Sequence, residues 1–140
     1  MPKFVARDYK ITVNSVDLTD HCSALAVTDT ADQVDATTFG PNAYKQYLQG
    51  FHDCQITATF FSDFAAASVH ATLLPLYQSG SVFPVKITPT SQPPSATNPS
   101  VTLQATMYEY TGIQGKVGEM STMDVTFANG GTAGPVWGTT

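Results

Sequence analysis

Charge is what this 140-residue sequence has least of. Asp, Glu, Lys and Arg together make up 12% of it, about half of what a soluble domain usually carries. Only 6 of those residues are Lys or Arg, against 11 Asp or Glu, so the net charge is −5 and no basic face is available to grip phosphates. Two cysteines, Cys22 and Cys54, are too few for a stapled secreted scaffold. The longest apolar runs fall well short of the 18 or so residues of a membrane-spanning helix, and MPKFVARDYK at the start lacks the apolar stretch of a signal peptide. Synthesis in a cytoplasm is the expectation. The length fits one domain spanning 1–140, large enough to hold a core without metal or disulfide.

Threonine, by contrast, is abundant. It occurs 20 times, and with Val and Ile it supplies 36 residues whose branched side chains suit a pleated surface. Period-two alternation is clearest in 54–61 (CQITATFF), 101–110 (VTLQATMYEY) and 123–127 (MDVTF). In each, apolar residues face one way and largely uncharged polar residues the other. Weaker strands are expected at 9–13, 24–28, 35–39 and 82–88. About seven or more strands predict a mainly β, single-domain β-sandwich or partial barrel.

One helix flanks it, at about residues 64–78. Asp63 is the expected N-cap, Phe64, Ala67, Ala71 and Leu74 recur at helical spacing, Pro75 forces a kink or tightening, and Gly80 ends the segment. A shorter helical turn is predicted over 41–48 (PNAYKQYL). Outside the core lie an arm, 1–8, a loop at 89–100 with four prolines, and a glycine-rich tail, 129–140. Trp137 beside Val136 predicts that the tail docks, because a large apolar ring is a poor choice for a segment that touches nothing.

Chemistry is hard to find. GIQGKVGE, at 112–119, has the wrong spacing for a phosphate loop and reads as a hairpin connection. His21, Cys22, His52 and Cys54 are zinc-type ligands without a finger's spacing, and Cys54 begins an apolar strand face, which favours a buried thiol. Asp29, Asp32 and Asp35 form the densest acidic stretch but lack the glycine turn and bidentate Glu of a calcium loop, so they read as a solvated or pore-facing strand. His70 reads as solvent-facing. No nucleophile elbow occurs, and no enzyme is predicted, with no catalytic residue, metal or cofactor.

The missing charge has a consequence of its own. Strand edges are usually guarded by lysine, proline or bulges, and here the three clearest strands contain no lysine, Lys86 falling in a weaker one. Interface centres are depleted in charge, so the composition fits a molecule covered by copies of itself. A ring of such subunits closes the edges and encloses a lumen with few cations to hold a polyanion, through which DNA passes without specific binding.

The same order of elements resembles the major tail, or tail tube, proteins of long-tailed bacteriophages with noncontractile tails, particularly those of actinobacterial hosts. The resemblance rests on VNSVDLTDHCSALAVTDTADQVDATTFG (13–40), FFSDFAAASVHATLLPLYQSGSVFPVKITPTS (60–91), SATNPSVTLQATMYEYTGIQGKVGEMSTMDVTFANGG (95–131) and the closing TAGPVW. It implies a structural virion protein that self-assembles into homohexameric rings stacked as the tube for DNA ejection. It implies tape measure, terminator and distal tail proteins as further partners, no membrane, and a place in the virion tail after synthesis in the host cytoplasm. On this chain it puts Asp29, Asp32 and Asp35 near the lumen or an adjacent ring. Phe4, Tyr44, Tyr47, Val136 and Trp137 become subunit contacts. The competing reading is a carbohydrate-binding or adhesin-like module, with Tyr44, Tyr47 and Trp137 as an aromatic platform.

Overall fold

The computed structural model describes residues 8–40, 43–66, 68–90 and 92–138. Eight strands form one antiparallel sheet: β1 (Lys10–Val13), β2 (Val16–Asp17), β3 (Cys22–Asp35), β4 (Tyr47–Phe61), β5 (Phe83–Thr88), β6 (Ser100–Tyr110), β7 (Thr122–Asn129) and β8 (Val136–Gly138). Their spatial order is β2-β1-β5-β6-β7-β4-β3, with β8 added to β6 beyond the end of β7. One helix, α1 (Val69–Ser79), lies between β4 and β5 in sequence and packs on β6.

Alternation builds the core. Cys54, Ile56, Ala58 and Phe60 of β4 are buried, as are Val101, Leu103, Ala105 and Met107 of β6 and Met123, Val125 and Phe127 of β7. These are the apolar faces expected from the sequence. Ile11 and Val13 of β1, Phe83 and Val85 of β5, and Val69 and Leu73 of α1 complete the same cluster. Phe83 meets Phe127 edge-on, with centroids 5.8 Å apart. Burying each such side chain contributes about 1.5–3 kcal/mol.

The eight strands belong to one sheet, which favours the partial-barrel form of the expectation over two stacked sheets. Curling brings the margins together: Leu25 and Val27 of β3 share an apolar cleft of about 310 Å3 with Ile87, Val101 and Trp137 from β5, β6 and β8. The β1–β2 turn uses Asn14 and Ser15 at φ 49° and 69°, the left-handed pair that matches the twist of a two-residue hairpin.

Several boundaries differ from those the sequence suggests. The segments expected as separate strands at 24–28 and 35–39 are replaced by one strand, β3, which ends at Asp35. The helical turn expected over 41–48 is overturned where it is described: residues 43–46 are not helical, and Tyr47 and Leu48 already pair with Asp35 and Val34. Cross-strand pairing to β3 wins there over local propensity. α1 begins at Val69, later than the expected 64, because Asp63 is engaged elsewhere. Its carboxylate accepts from the Ala65 N–H at 2.9 Å and the Ser68 hydroxyl at 2.7 Å, and Ser68 becomes the N-cap residue. The helix runs on through Pro75 and stops at Gly80, which is left-handed at φ 67°. The proline loop is tied down rather than simply projecting: Asn98 is buried, and its amide donates to the Gln92 carbonyl at 2.9 Å.

Candidate functional site

The β3–β4 hairpin outruns its own sheet. β7 pairs with β4 only from Gln55 to Phe61, so residues 47–54 of β4 hydrogen-bond to β3 alone. The result is a two-stranded ribbon, 29–35 against 47–54, leaving the end of the sheet where β7 finishes. Such a ribbon is marginal by itself in water. Gly50 permits the close approach inside it: a Cβ there would stand 3.0 Å from the Asp32 Cβ and 3.1 Å from a Val34 methyl. The register shifts nearby, between Ala31 and Gln33. At the tip the Gln46 N–H donates to the Thr37 hydroxyl at 2.9 Å, the Ala36 N–H donates to the Gln46 carbonyl at 2.9 Å, and the Thr37 N–H donates to Asp35 at 2.9 Å. That last bond holds the Asp35 carboxyl below its usual range.

The ribbon is apolar where water meets it. Phe51 is 88% exposed, Leu48 63% and Tyr44 85%, and Val34, Phe39 and Tyr47 are exposed beside them. So many large apolar side chains exposed on one short ribbon and its tip are the mark of an interaction site. At the opposite end of the sheet, where Phe61 opposes Thr122, the β6–β7 connection exposes Ile113, Val117 and Met120. The molecule therefore carries apolar groups at both ends of its strands.

Between these ends, the face of the sheet turned from the core presents threonine and glutamine. Thr57 and Thr59 of β4 oppose Thr126 and Asp124 of β7, and Gln55 lies beside Ala128. The Thr59 hydroxyl donates to Asp124 at 3.0 Å. At the margin, β3 is a 14-residue strand with a ladder on one side only, among the described residues, and it contains no lysine, arginine or proline.

The acidic stretch does not act as one cluster. Asp29 opposes Cys54, on the core side, while Asp35 opposes Tyr47 beyond the register shift, six residues further along β3. Asp32 sits at the register shift beside Gly50. Burial, then the charges of Asp29 and Asp53, push the Cys54 thiol up. Phe4 lies outside the described residues. Val136 and Trp137 lie in β8, opposite Thr102 and Val101, so the tail docks on its own sheet, yet Trp137 remains 61% exposed. No ring contact joins Tyr44, Tyr47 and Trp137 among the described residues: the tyrosines belong to the ribbon and the tryptophan to β8.

His21 and Cys22 stand apart from His52 and Cys54. The His21 Nε2 lies 2.9 Å from Asp63, and Cys22 opposes Phe60 near the far end of the hairpin. His70 is part-buried rather than simply solvent-facing, with its Nδ1 2.8 Å from the Tyr110 hydroxyl. Sequence reasoning missed β8 and the exposed apolar side chains of Val34, Leu48 and Phe51. The available signal was the charge-free run YLQGF directly upstream of the best alternating strand.

Neither a protein-family model nor a curated protein sequence matches the chain. Solved structures do. A chain in the virion of a native gene transfer agent particle superposes with TM-score 0.73 at 14% identity, covering 96% of this chain and 98% of that one. A chain from the tail of an empty gene transfer agent particle, with C6 symmetry, gives TM-score 0.63 at 14% identity over 86% and 82%. A chain from the sheath–tube complex of an extracellular contractile injection system, in its extended state, gives 0.69 at 9% identity over 99% and 93%. The fold is thus one shared with components of phage-like tails and injection tubes.

Proposed function

We propose that this protein is the tail tube subunit of a virion with a long noncontractile tail, joining six copies into a ring and stacking rings into a tube that conducts DNA. The observation that carries the reading is the ribbon of 29–35 and 47–54. Half of a long hairpin stands outside its own sheet with Leu48 and Phe51 in water, and such a surface becomes stable when another copy covers it. Support for the ring comes from the unguarded β3 margin and from the C6 symmetry of one matched tail. Support for stacking comes from the apolar groups at both ends of the strands.

The threonine-rich outer face suits a channel wall. Hydroxyls and a few carboxylates offer no counterion-releasing contacts, so DNA slides along them without being held. Asp29, Asp32 and Asp35, in the ribbon, lie near the lumen or an adjacent ring on this reading. The role is structural and non-enzymatic. Partners beyond its own copies are the tape measure, terminator and distal tail proteins, met in the tail after synthesis in the host cytoplasm. Negative-stain images of concentrated protein test the reading: annuli and tubes are expected, and isolated particles at every concentration would overturn it.

A further inference from the structure

Two clefts meet at Trp137. On one side of the ring is the apolar cleft of about 310 Å3 walled by Leu25, Val27, Ile87, Pro99 and Val101. On the other is a cleft of about 420 Å3 lined by Asp29, Phe51, His52 and Pro135 among others. Both stand where β5 and β7 finish and β1 and β6 begin, the end of the sheet from which the ribbon projects. Trp137 opposes the buried Val101 and so points to the core side of β8, yet most of it still meets water. The core is thus left uncovered at this end, in a recess with Trp137 at its centre.

The other end of the strands carries a projection. The β6–β7 connection, 111–121, holds Ile113, Val117 and Met120 in water. It is a built loop. The Gln114 amide donates to Asp124 at 3.2 Å, the Ser121 hydroxyl donates to that of Ser62 at 3.0 Å, and the Ser62 N–H donates to the Ser121 carbonyl at 3.0 Å. At its crown the Glu119 N–H donates to the Lys116 carbonyl at 3.1 Å, closing a turn in which Gly118 is left-handed at φ 85° and Val117 is fully exposed. A loop already held in shape loses little freedom on docking.

Charge agrees with shape. Lys116 adjoins Val117, and its ion partner is Glu119, an exposed pair at 3.8 Å. The recess presents Asp29, and neither cleft is lined by lysine or arginine among the described residues. A recess at one end of a chain and a matching projection at the other form a heterologous contact, which propagates along the strand direction instead of closing.

We infer that the β6–β7 connection of one copy seats in the Trp137 recess of the next, with Val117 and Met120 against the indole and Lys116 toward Asp29. The inference rests on the stacked-tube reading and deepens it, naming the axial contact and giving the tube a polarity.

Photocrosslinking of the full-length protein tests it, with p-benzoylphenylalanine in place of Val117. Irradiated tubes are expected to yield crosslinks from 117 to 25–27, 51–54 or 132–137. These segments and the loop lie toward opposite ends of the sheet, so such crosslinks join different copies. In parallel, Val117→Asp and Trp137→Ala, each checked for folding by far-UV melting, are expected to need about tenfold more protein to form tubes while still forming single rings. Tubes that crosslink only elsewhere, or variants that form tubes at the natural concentration, overturn the seating and leave the ring reading standing. A natural chain that never assembles overturns both.

Discussion

The two halves of the β3–β4 hairpin share one ladder and differ only in their third neighbour. In the sheet half, residues 55–61 of β4 lie between β3 and β7, and Ile56, Ala58 and Phe60 are buried. In the ribbon half, 47–54 has β3 alone, and Leu48 and Phe51 remain in water. The β3–β4 ladder runs through both, so that ladder alone does not distinguish them. What distinguishes them is whether a further layer removes apolar surface from water, and under the proposed function that layer in the ribbon is another copy.

The largest expected effect separates the halves by stability. Phe60→Ala empties a fully buried site and should destabilise the subunit by about 3–5 kcal/mol in urea unfolding, whereas Phe51→Ser should stay within about 0.5 kcal/mol. Assembly should show the reverse order. Leu48→Ser/Phe51→Ser, with its folding intact, should form tubes poorly under the electron microscope, and full-length tubes would break the comparison.

A smaller effect sits where the hairpin meets the helix. The Asp63 carboxyl is held below its ordinary value of 3.8 by the Ser68 hydroxyl, then the Ala65 N–H and His21. A lowered carboxylate stabilises the fold above its unfolded value, and that contribution disappears as pH falls through the lower, folded value. Asp63→Asn should therefore melt below the natural protein at neutral pH and converge with it in acid, beneath 3.8. Parallel melting curves across that range would remove the role assigned to this carboxylate. Smallest of all, Ser15→Gly relieves a left-handed residue in the β1–β2 turn and should raise stability by up to about 1 kcal/mol in the same urea assay.

This contrast also explains which parts of the fold could be read from the sequence. Alternation was legible in β6, β7 and the second half of β4 because one face of each is buried and the other is wet. Apart from Cys54 at its base, the ribbon buries neither face, so nothing in TADQVD or YLQGF enforces a period of two, and the pattern alone divides β3 into two shorter strands. Tyr44, Tyr47 and the three acids could be picked out as residues of interest. Their placement along the ribbon depends on register, which residue types do not specify. Trp137 signalled that the tail docks, but its seat opposite Val101 depends on a pairing beyond the end of β7 that no local pattern encodes. Phe64 lies ahead of the helix instead of within it because Asp63 bonds to Ala65 and Ser68, a competition invisible in helical spacing.

Amide hydrogen exchange on unassembled and assembled protein addresses the ribbon directly. In unassembled subunits, amides of 29–35 and 47–53 should exchange much faster than those of 55–61. In tubes the ribbon amides should slow by about a hundredfold or more while 55–61 change little. Equal protection of both segments before assembly, or a ribbon that stays fast within tubes, would contradict the account.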